Sequence, residues 1–592
     1  MAAYISPLLS PFSASSRYRH LQLHKLHSTN SLKFSSLSPL HSSNVSTCSC
    51  EWSSVTCASP NGSIPDPIEE IVEDEQRATL SAKIASREFT VKQSGFPVTL
   101  KNNISKLGVP QYILDFVLKP FEENEKFSRI PEAKRRSRNE AFFLPLYELY
   151  LTNGGIFRTK YGLKSFLIVS DPKIVKHILK DNSKSYSKGI FSEILDFVMG
   201  KGLIPADGEK WRTRRRAIVP ALHQKFVTAM IDLFSNATDR LCMKLDDAES
   251  SGVAVDMESL FSCLTLDIIG KSLFYYDFDS LTDDTGIAEA IYTVLREAED
   301  RSTARIPFWK IPIWKDISPR RKKVNAALEL INDTLDDLIA IFKRLVEEEE
   351  LQLDEEYMTE QTSILHFLLA SGDDVSSKQL RDDLMTLLIA GHQTSAAVLT
   401  WTFYLLSQNP TVVSKLQNEV DMVLGDRFPT IEDMKKLKYA SRVISESMRL
   451  YPQPPVLIRR SLQEDMLGSY RIRKDEDILI SVWNLHRSPS LWEDADTFNP
   501  ERWPLDGPAP NEITEEFRYL PFGGGPRKCI GEMFASYEMI VALAMLVRRF
   551  DFQLAPDAPP VGMITGGMIH TTNGLVMEVR RRTFTAPHSE FR

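Results

Sequence analysis

The chain has 592 residues, of which 43% are hydrophobic and 25% charged, and its formal net charge is −8 at pH 7. This composition is that of an ordinary globular protein, and the acidic balance argues against nucleic-acid binding as its main activity. The cysteines that follow residue 57 are Cys242, Cys263 and Cys529, with no Cys-x-x-Cys pair among them. Their wide separation argues against a disulfide framework and against a four-cysteine zinc site.

The first fifty residues differ in composition from the rest, because they lack Asp and Glu and are rich in Ser. An acid-poor, Ser-rich, basic N-terminus is typical of an organelle transit peptide. We therefore predict a transit peptide at 1–57, a polar N-terminal extension at 58–130, the main domain at 131–584 and a tail at 585–592. A disordered tail without a targeting role is the alternative for the first of these segments.

No run of about 20 apolar residues occurs near the N-terminus, so the sequence predicts no membrane-spanning anchor. The weakly apolar segment Leu107–Phe121 is a candidate for contact with a membrane surface, and packing in the protein core is its alternative.

Two segments have clear secondary-structure patterns. Apolar and polar residues alternate from Ile156 to Ser170 around Tyr161-Gly162, which predicts a β-hairpin. From Ser376, whose sequence Ser-Ser-Lys-Gln matches a capping box, to Pro410 the pattern predicts a single long helix. A glycine in mid-helix costs about 1 kcal/mol relative to alanine, so Gly391 indicates that something bulky lies against the backbone there.

The loop from Phe522 to Gly531, with the sequence FGGGPRKCIG, carries the strongest chemical signal. Glycines permit a tight loop, and a helix is predicted from about Gly531 to Arg549. Cys529 would then lie at a helix N-terminus, where free N–H groups and the helix dipole stabilise a thiolate. A thiolate in such surroundings is suited to be the axial ligand of a haem iron, and Arg527 could pair with a haem propionate. An isolated buried cysteine with a structural role is the alternative.

This loop resembles the haem-binding signature of the cytochrome P450 superfamily, F-x-x-G-x-R-x-C-x-G. Phe522, Gly525, Arg527, Cys529 and Gly531 match it in full. The resemblance implies a mainly α fold with small β-sheets and a long central helix over the haem. It also implies haem b (iron protoporphyrin IX) as the cofactor and Cys529 as the metal ligand.

Further residues match the superfamily by position. Glu446 and Arg449 match its E-x-x-R helix, and Arg502 lies in the matching loop Pro500-Glu501-Arg502-Trp503, which implies a buried structural triad behind the haem. The resemblance also implies three partners for the haem propionates, with core packing or an exposed basic face as their alternatives: Trp211, Arg215 and Arg459.

The centre of the long helix matches the superfamily pattern A/G-G-x-D/E-T/S through Ala390, Gly391 and Thr394. By resemblance, Thr394 hydrogen-bonds oxygen held at the iron and relays a proton through water. Gln393 stands where the pattern has an acid, and an amide donates a hydrogen bond but releases no proton near neutral pH. Proton delivery from that position is therefore in doubt. His392 is interpreted as a packing residue and not as a metal ligand.

The segments 139–158, 194–212, 363–384 and 482–508 resemble the plastid carotenoid hydroxylases. The branch that hydroxylates the β-rings of α- and β-carotene, on the way to xanthophylls and lutein, is the more similar, and the ε-ring hydroxylases are the alternative. The resemblance implies O2 as co-substrate, a carotenoid substrate, a ferredoxin-type electron donor and a chloroplast location peripheral to the envelope or thylakoid membrane. It leaves open a complex with another carotenoid hydroxylase.

A basic run is the candidate docking surface for the electron donor, with a solvated basic face as its alternative. The run comprises Arg212, Arg214, Arg215, Arg216 and Lys528.

Two rival functions follow from the same cofactor. A haem-thiolate isomerase or dehydratase of lipid hydroperoxides would carry an insertion in the cysteine loop and lack the distal Thr, unlike this chain. A non-catalytic haem-binding partner is favoured only by Gln393.

Overall fold

The computed structural model describes residues 141–161, 164–282, 286–303, 318–348, 364–365, 368, 376–565 and 567–582. The predicted transit peptide, the polar extension, the segment Leu107–Phe121 and the C-terminal tail lie outside these residues. Within the described part of the chain, no helix is both long enough and apolar enough to cross a bilayer.

Helices make up most of the described structure. They are α1 Leu144–Asn153, α2 Pro172–Lys176, α3 Ile190–Met199, α4 Gly208–Ile218, α5 Gln224–Ala229, α6 Ile231–Ser251, α7 Met257–Phe274, α8 Ile287–Thr303, α9 Pro319–Glu348, α10 Ser377–Gln408, α11 Pro410–Leu424, α12 Lys438–Leu450, α13 Val482–His486 and α14 Glu532–Arg549.

The strands are short and form small sheets. They are β1 Ile156–Tyr161, β2 Lys164–Val169, β3 Tyr186–Ser187, β4 Val255–Asp256, β5 Val456–Ser461, β6 Asp465–Leu467, β7 Tyr470–Ile472, β8 Asp477–Ser481, β9 Phe550–Leu554, β10 Met563–Thr565, β11 Ile569–Thr571 and β12 Val576–Arg581. The predicted class, mainly α with small β-sheets, is confirmed.

The largest sheet has the strand order β1-β2-β8-β5-β3. Strands β1 and β2 form the predicted antiparallel hairpin, in which Ile156 pairs with Val169. Strand β2 is covered on both faces, because Ile168 packs in the main helical core while Leu167 and Val169 pack in a second core cluster. The sheet is thereby packed against the helices through one face of β2.

Helix α10 is the predicted long helix, and most of its side chains from Leu380 to Leu406 are buried. The side chain of Ser376 accepts a hydrogen bond from the Gln379 N–H at 3.2 Å, as a cap should. The reciprocal bond, from the Ser376 N–H to the Gln379 side-chain oxygen, is not formed, and the Gln379 amide instead lies against another segment, where its Nε2 donates to the carbonyl of Lys201. The prediction of a complete capping box was therefore wrong, because a tertiary contact takes the glutamine.

Gly391 lies where α7 packs against α10. A Cβ added at Gly391 would lie 2.5 Å from Ile269 Cδ1 and 2.6 Å from Ile269 Cγ1. The bulky group expected against this backbone is therefore a side chain of the neighbouring helix, and glycine lets the two helices approach closely.

A Gly391→Val substitution should overpack this contact and lower the free energy of unfolding by about 1–3 kcal/mol. Adding Ile269→Ala should recover part of that loss, because the two changes act on the same contact and cannot be additive. Denaturation midpoints of the two single variants and the double variant measure the effect. Strictly additive losses would contradict the packing role.

Candidate active site

The cysteine loop is fixed by one glycine and two backbone hydrogen bonds. Gly525 has φ +68°, and a Cβ there would lie 1.8 Å from the carbonyl oxygen of Leu179, so no other residue fits without moving the backbone. The N–H of Cys529 donates to the carbonyl of Phe522, and that of Lys528 to the carbonyl of Gly525, both at 3.0 Å. Helix α14 begins immediately afterwards, with Gly531 as its N-cap residue.

The Cys529 side chain has accessible surface, yet the protein around it desolvates the thiol and raises its pKa. Both observations fit a sulfur that faces an internal space and not the outer surface. The N–H of Gly531 and the charge of Arg215 act in the opposite direction, but burial outweighs them. The helix terminus favours the thiolate, as expected, but desolvation of the thiol exceeds the stabilisation that these groups supply.

Helix α10 exposes part of one face near its centre. Ala390, Gly391 and Thr394 are partly exposed, whereas the residues between and around them are buried. Thr394 Oγ1 donates a hydrogen bond to the carbonyl oxygen of Ala390 at 2.6 Å. Gln393 is 3% exposed, which places its amide on a packed face of the helix. Of the four residues predicted here, the structure aligns three along the open face and buries Gln393.

His392 points toward α7, where its Nε2 lies 2.7 Å from Ser262 Oγ. Burial lowers the pKa of His392 to about 3, so the ring is neutral at physiological pH. Across the described residues, no group of three or more His, Cys, Asp or Glu side chains could hold a metal ion. The buried, neutral ring and its contact with Ser262 agree with the interpretation of His392 as a packing residue.

A cluster of buried cations lies beside the cysteine loop. Arg459 is 7% exposed, and burial together with Arg527 lowers its pKa to about 10. Arg527 donates to the carbonyl of Ala206 at 2.8 Å and contacts the carboxylate of Asp207. Burial, followed by repulsion from these two arginines, holds the pKa of Lys188 well below its ordinary value.

Lys188 and Asp207 are site residues that the sequence analysis missed. Neither belongs to a recognisable motif, because a lysine just ahead of a helix and an aspartate just ahead of the next one are common. Asp207 ties them together by accepting the Lys188 N–H at 2.9 Å. Only the approach of segments that are distant in the sequence reveals their role.

Trp211 and Arg215 also lie at the cysteine loop. Arg215 Nη1 donates to the carbonyl of Lys528 at 2.9 Å, and its guanidinium carbon lies 5.8 Å from the centre of the Trp211 ring. The guanidinium of Arg527 lies closer to that ring, at 4.3 Å. Arg215 and the loop residue Arg527 thus both lie at the ring of Trp211.

The predicted triad is assembled behind this site. Arg449 Nη2 and Nε donate to the two carboxylate oxygens of Glu446 at 2.8 and 3.0 Å, and both side chains are fully buried. Arg502 Nε reaches Glu446 Oε1 at 3.3 Å and is more exposed than the other two. Arg449 also donates to three backbone carbonyls, of His486, Ala495 and Thr497, so its buried charge is saturated.

The basic run proposed for docking is only partly available. Arg214 is 4% exposed and its Nε donates to Asp383 Oδ2 at 2.5 Å. Lys528 Nζ pairs with Glu512 at 2.9 Å and with Glu532 at 2.7 Å. The helical period turns Arg214 inward and Arg215 toward the loop, so of the run only Arg212 and Arg216 are exposed. The five-residue docking surface was therefore an overestimate.

The arrangement fits a haem iron. An accessible sulfur, held in a desolvated loop, faces a space that a positively charged metal would complete. The three cations Lys188, Arg459 and Arg527 are opposed by the carboxylate of Asp207, and the remaining positive charge matches two carboxylates such as haem propionates.

Comparison with known proteins agrees with this geometry. Residues 129–577 match the model of the cytochrome P450 family. The chain belongs to that family. It is therefore an oxidoreductase, a P450 monooxygenase with a haem-iron cofactor, and neither the hydroperoxide isomerase nor the non-catalytic alternative is needed.

Three curated relatives of this P450 are named chloroplastic. It is 70% identical to Protein LUTEIN DEFICIENT 5 of Arabidopsis thaliana over 528 aligned residues, and the alignment covers 88% of each chain. It is 50% identical to Carotene epsilon-monooxygenase of Arabidopsis thaliana, over 75% of this chain and 82% of the relative. Identity to Cytochrome P450 97B2 of Glycine max is 44%, over 74% and 83% respectively.

A Glu446→Gln substitution should cost the P450 about 3–5 kcal/mol of folding free energy, because Arg449 would keep a buried charge without its carboxylate. Denaturation midpoints measure the loss. Glu464→Gln is the matched control, since Glu464 pairs with Arg471 on the protein surface and should leave the midpoint unchanged. Equal effects of the two substitutions would contradict the role assigned to the triad.

Proposed function

We propose that this P450 hydroxylates the β-rings of carotenoids, α-carotene and β-carotene, in the formation of xanthophylls and lutein. The observation that carries the proposal is the 70% identity to Protein LUTEIN DEFICIENT 5, sustained over 88% of both chains. The weaker identity, 50%, to Carotene epsilon-monooxygenase supports a carotenoid substrate and keeps ε-ring hydroxylation as the alternative. The chloroplastic names of the relatives support action inside the plastid.

The residues around the cysteine loop would hold haem b. Cys529 would bind its iron through the side-chain sulfur, while Phe522, Gly525 and Gly531 shape the loop that presents that sulfur. Arg527, Arg459, Arg215 and Trp211 would hold its propionates, and Lys188 would add a further cation. When bound, the haem supplies the activation of O2 and its insertion into a C–H bond.

The chain's own residues control what reaches the open face of α10. The Thr394 hydroxyl donates to the Ala390 carbonyl within its own helix, and rotation of that hydroxyl frees it to hydrogen-bond O2. Ala390 leaves room beside it because it carries no long side chain, whereas the space at Gly391 is occupied by Ile269 of α7. Gln393 is buried and cannot ionise as an acid, so it contributes packing and no proton.

Electrons would come from a ferredoxin-type protein that docks on the exposed basic residues of α4. Lys210, Arg212 and Arg216 are exposed there, and Arg215 of the same helix bonds the backbone beside Cys529. A positive patch on an otherwise acidic protein steers an acidic partner. We further propose that the protein contacts plastid membranes peripherally. A complex with another carotenoid hydroxylase is compatible with this proposal.

Expression of the chain in cells that make α- and β-carotene, together with a ferredoxin supply, should give β-ring hydroxylated products. Chromatography of the extracted pigments identifies the ring. Products hydroxylated only on ε-rings would favour the alternative. Cys529→Ser should abolish product formation, and the reduced variant treated with carbon monoxide should lack the red-shifted absorption band of a thiolate-bound haem.

Arg216→Glu combined with Arg212→Glu should slow reduction by ferredoxin and flatten its dependence on ionic strength, since both depend on attraction between opposite charges. Stopped-flow reduction at several salt concentrations measures both effects. Arg580→Glu is the control, because Arg580 is exposed on β12, a different element. An unchanged salt dependence in the double variant would remove α4 from the docking surface.

A further inference from the structure

The backbone beside the cysteine loop contains a single turn of π-helix. Helix α2 continues directly into this π-helical turn, His177–Asp181, and the N–H of Asn182 donates to the carbonyl of His177 at 2.8 Å. Such turns are rare and often occur at functional sites. The contacts of this one indicate what it does.

The π-helical turn supports the loop that carries Cys529. The carbonyl oxygen of Leu179, in the middle of the turn, occupies the space that a Cβ at Gly525 would need, and Lys180 Cα lies 3.1 Å from the same position. Gly525 in turn accepts the N–H of Lys528, the residue next to Cys529, at 3.0 Å. A continuous series of backbone contacts therefore joins the π-helical turn to the residue that carries the sulfur.

One carboxylate binds both ends of the π-helical turn. Asp465 Oδ2 accepts hydrogen bonds from His177 Nε2, at the first residue of the turn, and from Asn182 Nδ2, directly after its last residue, both at 2.9 Å. The same oxygen accepts the Tyr186 hydroxyl at 2.5 Å, and Oδ1 accepts the N–H of Met466 at 2.8 Å. A change at Asp465 therefore acts on the whole turn at once.

Asp465 is ionised and can only accept hydrogen bonds. Burial acts to raise the pKa of Asp465, but its hydrogen bonds, first among them the one from Tyr186, hold that pKa below its ordinary value. Burial, followed by the bond to Asp465, raises the pKa of Tyr186 well above its ordinary value, so the hydroxyl keeps its proton. Hydrogen bonds to a charged group are among the stronger ones in proteins, so the carboxylate is a firm anchor.

Asp465 lies in β6, which pairs antiparallel with β7. Leu467 and Ile472 of this hairpin belong to the same buried apolar cluster as Ile178 and Leu179 of the π-helical turn. The hairpin is thereby held against the turn by apolar packing as well as by hydrogen bonds.

We propose that Asp465 is a positioning residue for the iron ligand: it fixes the π-helical turn and, through the contact of Leu179 with Gly525, the position of the Cys529 sulfur. The proposal deepens the function proposed above, because it rests on haem ligation by Cys529, and it is independent of which carotenoid is hydroxylated. Asp465 acts only through the turn, so its effect must be separated from a general loss of stability.

The first measurement is the absorption spectrum of the reduced, haem-loaded chain under carbon monoxide. Asp465→Ala should lower the fraction that shows the red-shifted band of a thiolate-bound haem, and haem should pass to an excess of a haem-scavenging protein about 10-fold faster, as when outer partners of metal ligands are removed. Asp465→Asn keeps the size and an acceptor oxygen but loses the charge, so its fraction should be intermediate. The full wild-type fraction in Asp465→Ala would overturn the proposal.

The second measurement locates the effect in the chain. Amide hydrogen exchange of the haem-loaded chain, resolved by mass spectrometry of its fragments, should become about 10-fold faster at 522–529 in Asp465→Ala, because local opening of the loop becomes easier. Exchange in α12, which carries the buried pair of Glu446 and Arg449, should stay unchanged. An equal acceleration in both segments would show a general loss of stability and contradict the positioning role.

Glu476→Ala is the matched control. The side chains of Glu476 and Asp465 are similarly buried, with exposed fractions of 11% and 15%, but Glu476 accepts from Arg158 Nε at 2.7 Å and from the N–H of Arg473 at 3.1 Å. Glu476→Ala should lower the denaturation midpoint as Asp465→Ala does, yet leave the red-shifted band and the exchange at 522–529 at wild-type values. Equal losses of the band in the two variants would reduce Asp465 to a structural residue.

A milder change tests the same path if Asp465→Ala folds poorly. Asn182→Ala removes one hydrogen bond at the end of the π-helical turn and should lower the red-shifted fraction by less. Because both changes act through one carboxylate, adding Asn182→Ala to Asp465→Ala should cause no further loss. An unchanged band in Asn182→Ala, or additive losses in the double variant, would count against the proposal.

The two proposals fail separately. If the wild-type chain hydroxylates no carotenoid, while its red-shifted band is present and responds to Asp465→Ala, the substrate is wrong and the positioning role stands. If the wild type hydroxylates carotenoids and Asp465→Ala keeps the full band, only the positioning role fails. A wild-type chain that never shows the band would remove haem ligation by Cys529 and the positioning role with it.

Discussion

The position of one sulfur atom governs the rest of this site. The Cys529 loop is held by its own backbone hydrogen bonds and by the close approach of Gly525 to the carbonyl of Leu179. Desolvation opposes ionisation of the thiol more strongly than the nearby N–H group and cations favour it. Such a sulfur becomes a stable thiolate when a metal cation binds it, so the loop is built for a complex and not for a free nucleophile.

Charge is distributed around that sulfur in a consistent way. Arg459, Arg527 and Lys188 lie close together beside the loop, and burial and their mutual repulsion lower the pKa values of Arg459 and Lys188. Such lowering is expected of cations that are grouped to bind anions. Behind it, Glu446 and Arg449 neutralise each other with every hydrogen-bonding group satisfied. The first cluster is suited to binding anions, and the second fixes the loop that follows α13.

Helix α10 makes buried contacts on two of its sides. The same helix packs Ile269 against Gly391 on one side and hydrogen-bonds Glu538 through Ser395 on another. Burial also desolvates the acid that α10 contacts and raises the pKa of Glu538 to about 8.

The sequence by itself determined the cysteine loop, the long helix from Ser377, the hairpin of β1 and β2, and the pairing of Glu446 with Arg449. Each of these depends on residues that are close in the chain, where glycine conformation, capping and helical spacing act directly. The 70% identity to Protein LUTEIN DEFICIENT 5 supports the substrate class that we propose.

Only the tertiary structure decided which of the basic residues in α4 turn inward, that Lys188 joins the cations of the loop, and that Glu538 lies against Ser395. It also decided the direction of the Cys529 pKa shift, because burial of the thiol outweighs the helix terminus. The physical reason is the same in each case. Burial and partner choice arise between segments far apart in sequence, and desolvation depends on all the atoms around a group and not on its neighbours in the chain.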